Sequence, residues 1–318
     1  MSLLTACHLS MENKLLTEES QSTNQVLMVR PHKFRVNTQT LSDNAFQQIC
    51  STQSEEEIEN RAYLEVTQAI AILRSLGVKV KVFEDRTGNT PDSVFPNNWF
   101  STHNDGTLNL YPMLAQNRRL ERKKSIIRFL TSRNTYNQLN DYSQYEHNGK
   151  ILEGTGSVIF DHIHNYFYVA RSHRTSDELI NKLASSLGMQ PIVFDTEDES
   201  GKPIYHTNVI MGLGTEFVVI CLDVLKNLSE KEQLLNHFKY TGKEVIPISW
   251  DQAKHFCGNV LELQGKHKKI LALSSTAYQA LNEIQKFRLQ KYVYLQPIHV
   301  PTIEMAGGSI RCMIAELF

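Results

Sequence analysis

One pattern recurs five times along this 318-residue chain, and a repeated unit constrains a fold more than any single motif does. The first copy opens at Ser54, which with Glu57 has the spacing of a capping box; an amphipathic stretch follows and Gly77 closes it. Val78, Val80 and Val82 then alternate as a strand, and the polar stretch Val94-Phe95-Pro96-Asn97-Asn98 leads into apolar Trp99-Phe100. The same order predicts a helix opened by Thr175 and Glu178 and ending near Gly188, a strand at Ile192-Val193-Phe194, and Tyr205-His206-Thr207-Asn208 before Val209-Ile210-Met211. It returns with Ser229 and Glu232, Gly242, a strand from Val245 to Ile248, and Gly258-Asn259 before Val260-Leu261-Glu262-Leu263. It returns once more with Thr276 and Gln279, a strand from Tyr292 to Val300, and Gly307-Gly308-Ser309 before Ile310-Arg311-Cys312-Met313. The second copy is looser: its helix falls within Lys124 to Leu139, and Glu153-Gly154-Thr155-Gly156 precedes Val158-Ile159-Phe160.

Asn98, Gly154, Asn208, Asn259 and Gly308 mark equivalent points, spaced by 56, 54, 51 and 49 residues. Each unit pairs strands with a helix, so its sheet cannot bury both faces alone. Closing five units around an axis, with the helices outside, removes that problem. The expected architecture is therefore a five-bladed α/β propeller in one domain over residues 23–318, preceded by a tail, 1–22, that lacks periodicity.

Composition excludes several classes of function. Lys and Arg number 33 against 34 Asp and Glu, a net charge of -1, with no basic stripe to bind nucleic acid. The longest wholly apolar run, Phe217 to Leu222, is too short to span a bilayer, and the N-terminus does not read as a signal peptide. Five scattered cysteines (Cys7, Cys50, Cys221, Cys257, Cys312) without a CxxC pair suit a reducing cytoplasm rather than a disulfide framework or a zinc site. His162-x-His164 has no third ligand near it in sequence and reads as a strand turn.

The propeller would bring the five polar stretches to one end of the axis, and with them Asn98, Glu153, His206, Asn208 and Cys312. A nucleophile, an acid/base and a carboxylate are what covalent attack on a resonance-stabilised C–N carbon needs. A thiolate attacks where neutral water does not, and His206 is the residue type that protonates a leaving amine. Gly307 and Gly308 would let the backbone pass close to a substrate.

Glu153-Gly154, His206-x-Asn208 and Gly307-Gly308-x-x-Arg311-Cys312-Met313 together resemble the signatures of the amidinotransferase, or pentein, superfamily, over about Val26 to Phe318. That group includes arginine deiminases, dimethylarginine dimethylaminohydrolases and arginine:glycine amidinotransferases. The resemblance implies five ββαβ repeats, Cys312 as nucleophile, His206 as general acid/base and Glu153 as the carboxylate that holds a substrate nitrogen. It implies Arg174 as a clamp on the substrate α-carboxylate, with Arg118 or Arg119 as a second. No metal or organic cofactor is implied, and the partner is a small amino-acid substrate; homo-oligomerisation is left open.

Arginine deiminases carry aspartates where this chain has Asn98 and Asn208. Burying a guanidinium cation without paired carboxylates is expensive, whereas an amide can donate N–H to a neutral ureido oxygen. Phe95-Pro96-Asn97-Asn98-Trp99-Phe100 with His206-Thr207-Asn208 is similar to the citrulline-utilisation hydrolase, or citrulline ureidase, branch. The expected reaction is L-citrulline to L-ornithine, ammonia and carbon dioxide. Arginine deiminase-type hydrolysis, or amidino transfer to an amine on the same fold, are the alternatives, and a binding protein without turnover is disfavoured by the complete set of reactive groups.

Overall fold

The computed structural model describes residues 20–41, 44, 46–48, 54–132 and 135–318. Among them the strands form five separate three-stranded sheets, one per repeat, so the five-bladed α/β propeller is the observed fold. Cys7, Cys50 and most of the expected tail lie outside the described residues. The tail's last residues are already part of the structure: Gln21 and Ser22 are buried, with Gln21 Nε2 donating to Phe160 O at 2.8 Å and Ser22 Oγ to Glu262 at 3.0 Å.

Each blade has an inner strand antiparallel to a middle strand, which is parallel to an outer strand across a helix. Phe100–Thr102, Thr107–Leu110 and Gln138–Asp141 form one such sheet, crossing through the helix Lys124–Thr131. Ile159–Asp161, Tyr166–Ala170 and Gln190–Phe194 form the next, crossing through Asp177–Leu187. Met211–Leu213, Phe217–Cys221 and Glu244–Ile248 cross through Leu228–Tyr240. Leu261–Gln264, Lys269–Ser274 and Tyr294–Ile298 cross through Ser275–Ala280 and Glu283–Gln290. The fifth sheet joins the two ends of the described chain. Gln25–Pro31 pairs in parallel with Lys79–Asp85, and Ala315–Glu316 supplies the inner strand, with Val26 opposite Glu316.

Middle strands are covered on both faces, which is why Phe217–Cys221 (FVVIC) reads as a continuous apolar run instead of alternating. Core clusters bridge neighbouring blades; one unites Val26 and Met28 with Leu263, Ile270 and the helix residues Val66 and Leu73. The capping box at Ser54 is present, with Ser54 Oγ accepting from Glu57 N–H and the Glu57 carboxylate accepting from Ser54 N–H at 2.9 Å.

Three of the expected helix starts are displaced. The third-blade helix has Ser176 at its N-cap position without a side-chain capping bond, and the Thr175 hydroxyl is engaged with the backbone of Ser172. Asn227, not Ser229, caps the fourth, its side chain accepting from the N–H groups of Ser229 and Glu230. In the last blade Ser274 caps one short helix and an Asn282–Gln285 capping box starts another. The helix in Lys124–Leu139 ends at Thr131, and Gln138–Asp141 is strand.

Candidate active site

The polar stretches fold into single turns at one end of the ring: Pro96–Asn98, Gly154–Ser157, Thr207–Val209 and Ile310–Met313. Each turn delivers a side chain before the inner strand begins. The turns approach so closely that Cβ atoms are excluded between them. Gly154 has φ +41° and a Cβ there would lie 2.5 Å from Asn97 O, while one on Gly156 would lie 2.2 Å from Asn98 Nδ2 and 2.8 Å from His206 Nδ1.

Glu153 lies at the centre of the charge arrangement and is fully buried. Its Oε2 accepts from His206 Nε2 at 2.7 Å and from Arg174 Nη1 at 3.1 Å, and its Oε1 accepts the Leu114 N–H at 2.9 Å. Arg118 Nη1 stands 3.9 Å away. Burial pushes this carboxyl up, but Arg174, then His206 and Arg118, outweigh it and hold it well below the usual carboxylate range. Burial acts in the other direction on His206, pushing it down to about 4 against the pull of Glu153, with Arg174 and Arg118 lowering it further. The imidazole is thus neutral near pH 7 with its Nε2 proton given to the carboxylate, the arrangement that fixes tautomer and ring orientation.

Cys312 sits in the turn Ile310–Met313 and is 4 % exposed. Asn208 Nδ2 lies 3.4 Å from its sulfur and Asn259 Nδ2 lies 3.2 Å from it. Cys312, His206, Asn98, Arg118 and Arg174 line one pocket of about 290 Å³ counting its mouth, together with Asp92, Phe95, Tyr205, Gly307 and Gly308. The Arg174 guanidinium lies over the Tyr205 ring, 4.8 Å from its centre.

Two amide orientations are dictated by their partners. Arg118 Nη2 donates to Asn98 Oδ1 at 3.0 Å, and a guanidinium can only donate, so the other end of the Asn98 amide, which lies against Gly156, is its NH₂. That Nδ2 is buried without a hydrogen-bond partner, as are Asn208 Oδ1 and Asp92 Oδ1. Of these, Asn98 and Asp92 belong to residues that line the pocket.

The adjacent arginines differ. Arg118 is buried, with Nε and Nη2 on the Glu121 carboxylate at 3.0 and 3.1 Å. Arg119 points away from the pocket, its Nε donating to Met113 O and its Nη2 to Leu114 O at 3.0 and 3.3 Å. Successive helical residues project about 100° apart, so only one of the pair can face the axis, and Arg119 supports the backbone that binds Glu153.

Sequence reasoning missed Asp92, Glu121 and Asn259 as site residues. Burial raises the Asp92 carboxyl, with Arg118 and Asn37 opposing it, and pushes Glu121 up to about 8 against Arg118. Asn259 carried a signal, since it marks the fourth repeat in the register of Asn208. His162 and His164 are apart from this site: His164 Nδ1 faces Asp161 at 3.0 Å and His162 packs on Phe160 and Phe318.

The pentein fold is the class that this five-sheet architecture defines. The chain matches the family described as N,N-dimethylarginine dimethylhydrolase, eukaryotic, over residues 30–318 and belongs to it, within the amidinotransferase superfamily. Among solved structures, the chain is similar to the N-terminal domain of ArgZ, an arginine dihydrolase of cyanobacteria, in a substrate-bound cysteine-to-serine variant. The TM-score is 0.71 at 14% identity, covering 92% of this chain and 97% of that one. Unliganded AgrE matches with TM-score 0.73 at 16% identity over 92% of this chain, which spans only 39% of AgrE. A dimethylarginine dimethylaminohydrolase adduct with S-methyl-L-thiocitrulline gives TM-score 0.63 at 13% identity, covering 92% and 99%. No curated protein matches by sequence search. Among the described residues no helix is long and apolar enough to cross a membrane.

Proposed function

We propose that this protein hydrolyses a ureido amino acid, L-citrulline, to L-ornithine, ammonia and carbon dioxide, with Cys312 as nucleophile, His206 as general acid/base and Glu153 as its orienting carboxylate. The observation that carries the reading is the forced orientation of Asn98. Its oxygen is held by Arg118, which leaves its NH₂, on a residue that lines the pocket, as a donor without a partner. A ureido oxygen accepts from that donor, whereas a guanidinium presents only N–H groups and would leave both sides unsatisfied. Asn208 Oδ1 supplies the matching acceptor for a ureido N–H.

In this scheme Cys312 Sγ attacks the ureido carbon, and the oxygen's growing negative charge is met by Asn98 Nδ2, a preorganised donor. His206 takes the Cys312 thiol proton as the sulfur attacks and delivers it to the departing amine, leaving a thiocarbamate on Cys312. Water deprotonated by the same ring then releases carbamate, which decomposes. Arg118 and Arg174 draw the α-carboxylate into the pocket, and Asp92 Oδ1 is placed for the α-ammonium.

A second reading, guanidino hydrolysis, draws on the family's described substrate and on the acids Asp92, Glu121 and Glu153 gathered around Arg118 and Arg174. ArgZ is described as an arginine dihydrolase, and such an enzyme would pass through both groups. Measuring ammonia, dimethylamine, citrulline and ornithine from citrulline, arginine and N,N-dimethylarginine separates the readings. A kcat/KM for any guanidino substrate above that for citrulline overturns the substrate assignment.

A further inference from the structure

Asn259 has no place in the scheme above, yet every hydrogen-bonding atom of its side chain is engaged. Its Oδ1 accepts the Arg311 N–H at 3.1 Å, from the peptide next to Cys312. Its Nδ2 donates to Asn208 O at 3.0 Å and lies 3.2 Å from Cys312 Sγ. The residue is fully buried. A backbone N–H can only donate and a carbonyl can only accept, so these two backbone partners dictate which end of the amide is which. One Nδ2 hydrogen goes to the Asn208 carbonyl and the other faces the sulfur. Asn208 is locked by the same logic: Thr155 O takes one of its Nδ2 hydrogens at 3.2 Å, and the second faces the sulfur at 3.4 Å.

We infer that Asn259 is a further catalytic residue, pairing with Asn208 in a two-amide cradle that holds the Cys312 sulfur as an anion and keeps it aimed at the substrate carbon. Two N–H groups converge on sulfur, and donors interact more strongly with a thiolate than with a thiol because the bond becomes charge-assisted. Being fixed by main-chain partners from neighbouring blades, they need no rearrangement when the charge forms. Asn259 also ties the Arg311 peptide to the Asn208 peptide, so the sulfur's position and its charge are set by one side chain. The inference rests on Cys312 being the nucleophile and is independent of the substrate.

Iodoacetamide alkylation across a pH series, read cysteine by cysteine by mass spectrometry, tests it without any substrate. Cys221 and Cys257 are buried and report on folding in the same sample. In Asn259→Ala the half-maximal pH for Cys312 labelling rises by about one unit, and labelling at neutral pH slows about tenfold, while Cys221 and Cys257 stay unlabelled. A curve that does not move, in a folded variant whose thermal midpoint alone has dropped, makes Asn259 a structural tie and overturns the inference. If the alanine variant labels at all three cysteines, the isosteric Asn259→Asp, which keeps the acceptor for Arg311 N–H, decides by the same comparison; unfolding of both variants also overturns it. If wild-type Cys312 labels no faster than Cys221 and Cys257, the nucleophile assignment itself falls, a distinct outcome.

Discussion

Cys312 and Cys257 are both buried cysteines at the polar turns of neighbouring blades, and they differ in what faces the sulfur. Cys257 Sγ donates to Ala277 O at 3.4 Å, and burial, with Asp251 and Glu304 adding to it, pushes the thiol up to about 12. Cys312 faces two N–H donors and opens onto a pocket holding a neutral imidazole. Burial alone makes a cysteine a small inert hydrophobe; the polarity of its partners decides whether it reacts.

The largest expected effect breaks that comparison directly. Cys312→Ala lowers turnover by on the order of 10⁴-fold with little change in thermal stability. Cys257→Ala leaves kcat and KM unchanged and costs ~1 kcal/mol of stability through the small cavity it opens. Steady-state ammonia release and thermal melts on the two variants check both halves. Comparable activity loss in the two would mean that the site is being read through fold damage.

Asn98→Asp sharpens the contrast between a neutral and a charged pocket. The new carboxylate still accepts from Arg118 but faces a ureido oxygen with an acceptor. Losing one such contact is worth about 1.5–3 kcal/mol, so citrulline kcat/KM should fall by one to two decades while arginine binding holds or improves. Asn98 is a cleaner test than Asn208, whose Nδ2 also serves the sulfur. An unchanged substrate ratio would remove Asn98 from the recognition of that oxygen.

A smaller effect separates the two adjacent arginines. Arg174→Ala and Arg118→Ala each raise KM for the amino acid by about tenfold, one charge-assisted contact. Arg174→Lys recovers little, because a fork becomes a point charge. Arg119→Ala shifts KM by less than about twofold, since its guanidinium serves main-chain carbonyls outside the pocket. A large KM change for Arg119→Ala with none for Arg118→Ala would reverse the assignment.

Much of this was legible in the sequence because the repeat converts distance along the chain into proximity in space. Equal spacing put Asn98, Glu153, His206, Asn208 and Cys312 on equivalent turns, and these turns converge. Helix starts were less legible, because Ser, Thr and Asn cluster there and compete for the cap. Asn227 outcompetes Ser229 by accepting from two N–H groups. Asp92 was invisible, since it belongs to no motif and acquires meaning from Arg118, which chain folding brings against Asp92, Asn98 and Phe95; Glu121, three residues after Arg118, carried a local signal in its spacing. Asn259 was read as a spacer in the repeat, because a carboxamide shows no reactive chemistry until its partners fix which end points at sulfur.

The last prediction concerns a second buried histidine, His103, and separates the reactive end of the ring from its structural frame. Asn140 Nδ2 donates to Asn109 Oδ1 at 3.0 Å, so Asn109 Nδ2 is the group facing His103 Nε2 at 3.0 Å, and that nitrogen must accept. A proton on Nε2 would meet an N–H donor, and burial pushes His103 from 6.5 down to about 3. The folded state therefore binds fewer protons than the unfolded state below pH 6.5. The stabilising contribution is fully present above 6.5 and is lost as pH falls toward 3, at ~1.4 kcal/mol per pH unit. His206, lowered to about 4, adds the same dependence over a narrower window. His103→Gln keeps a neutral acceptor and removes the titration. Its stability should fall less steeply between pH 6 and pH 4, by about 1.4 kcal/mol per unit, with citrulline turnover at pH 7 unaltered. Chemical denaturation of wild type and variant across that range measures the slope directly. Equal slopes would show that His103 is charged in the folded protein, contradicting the acceptor role that Asn109 imposes.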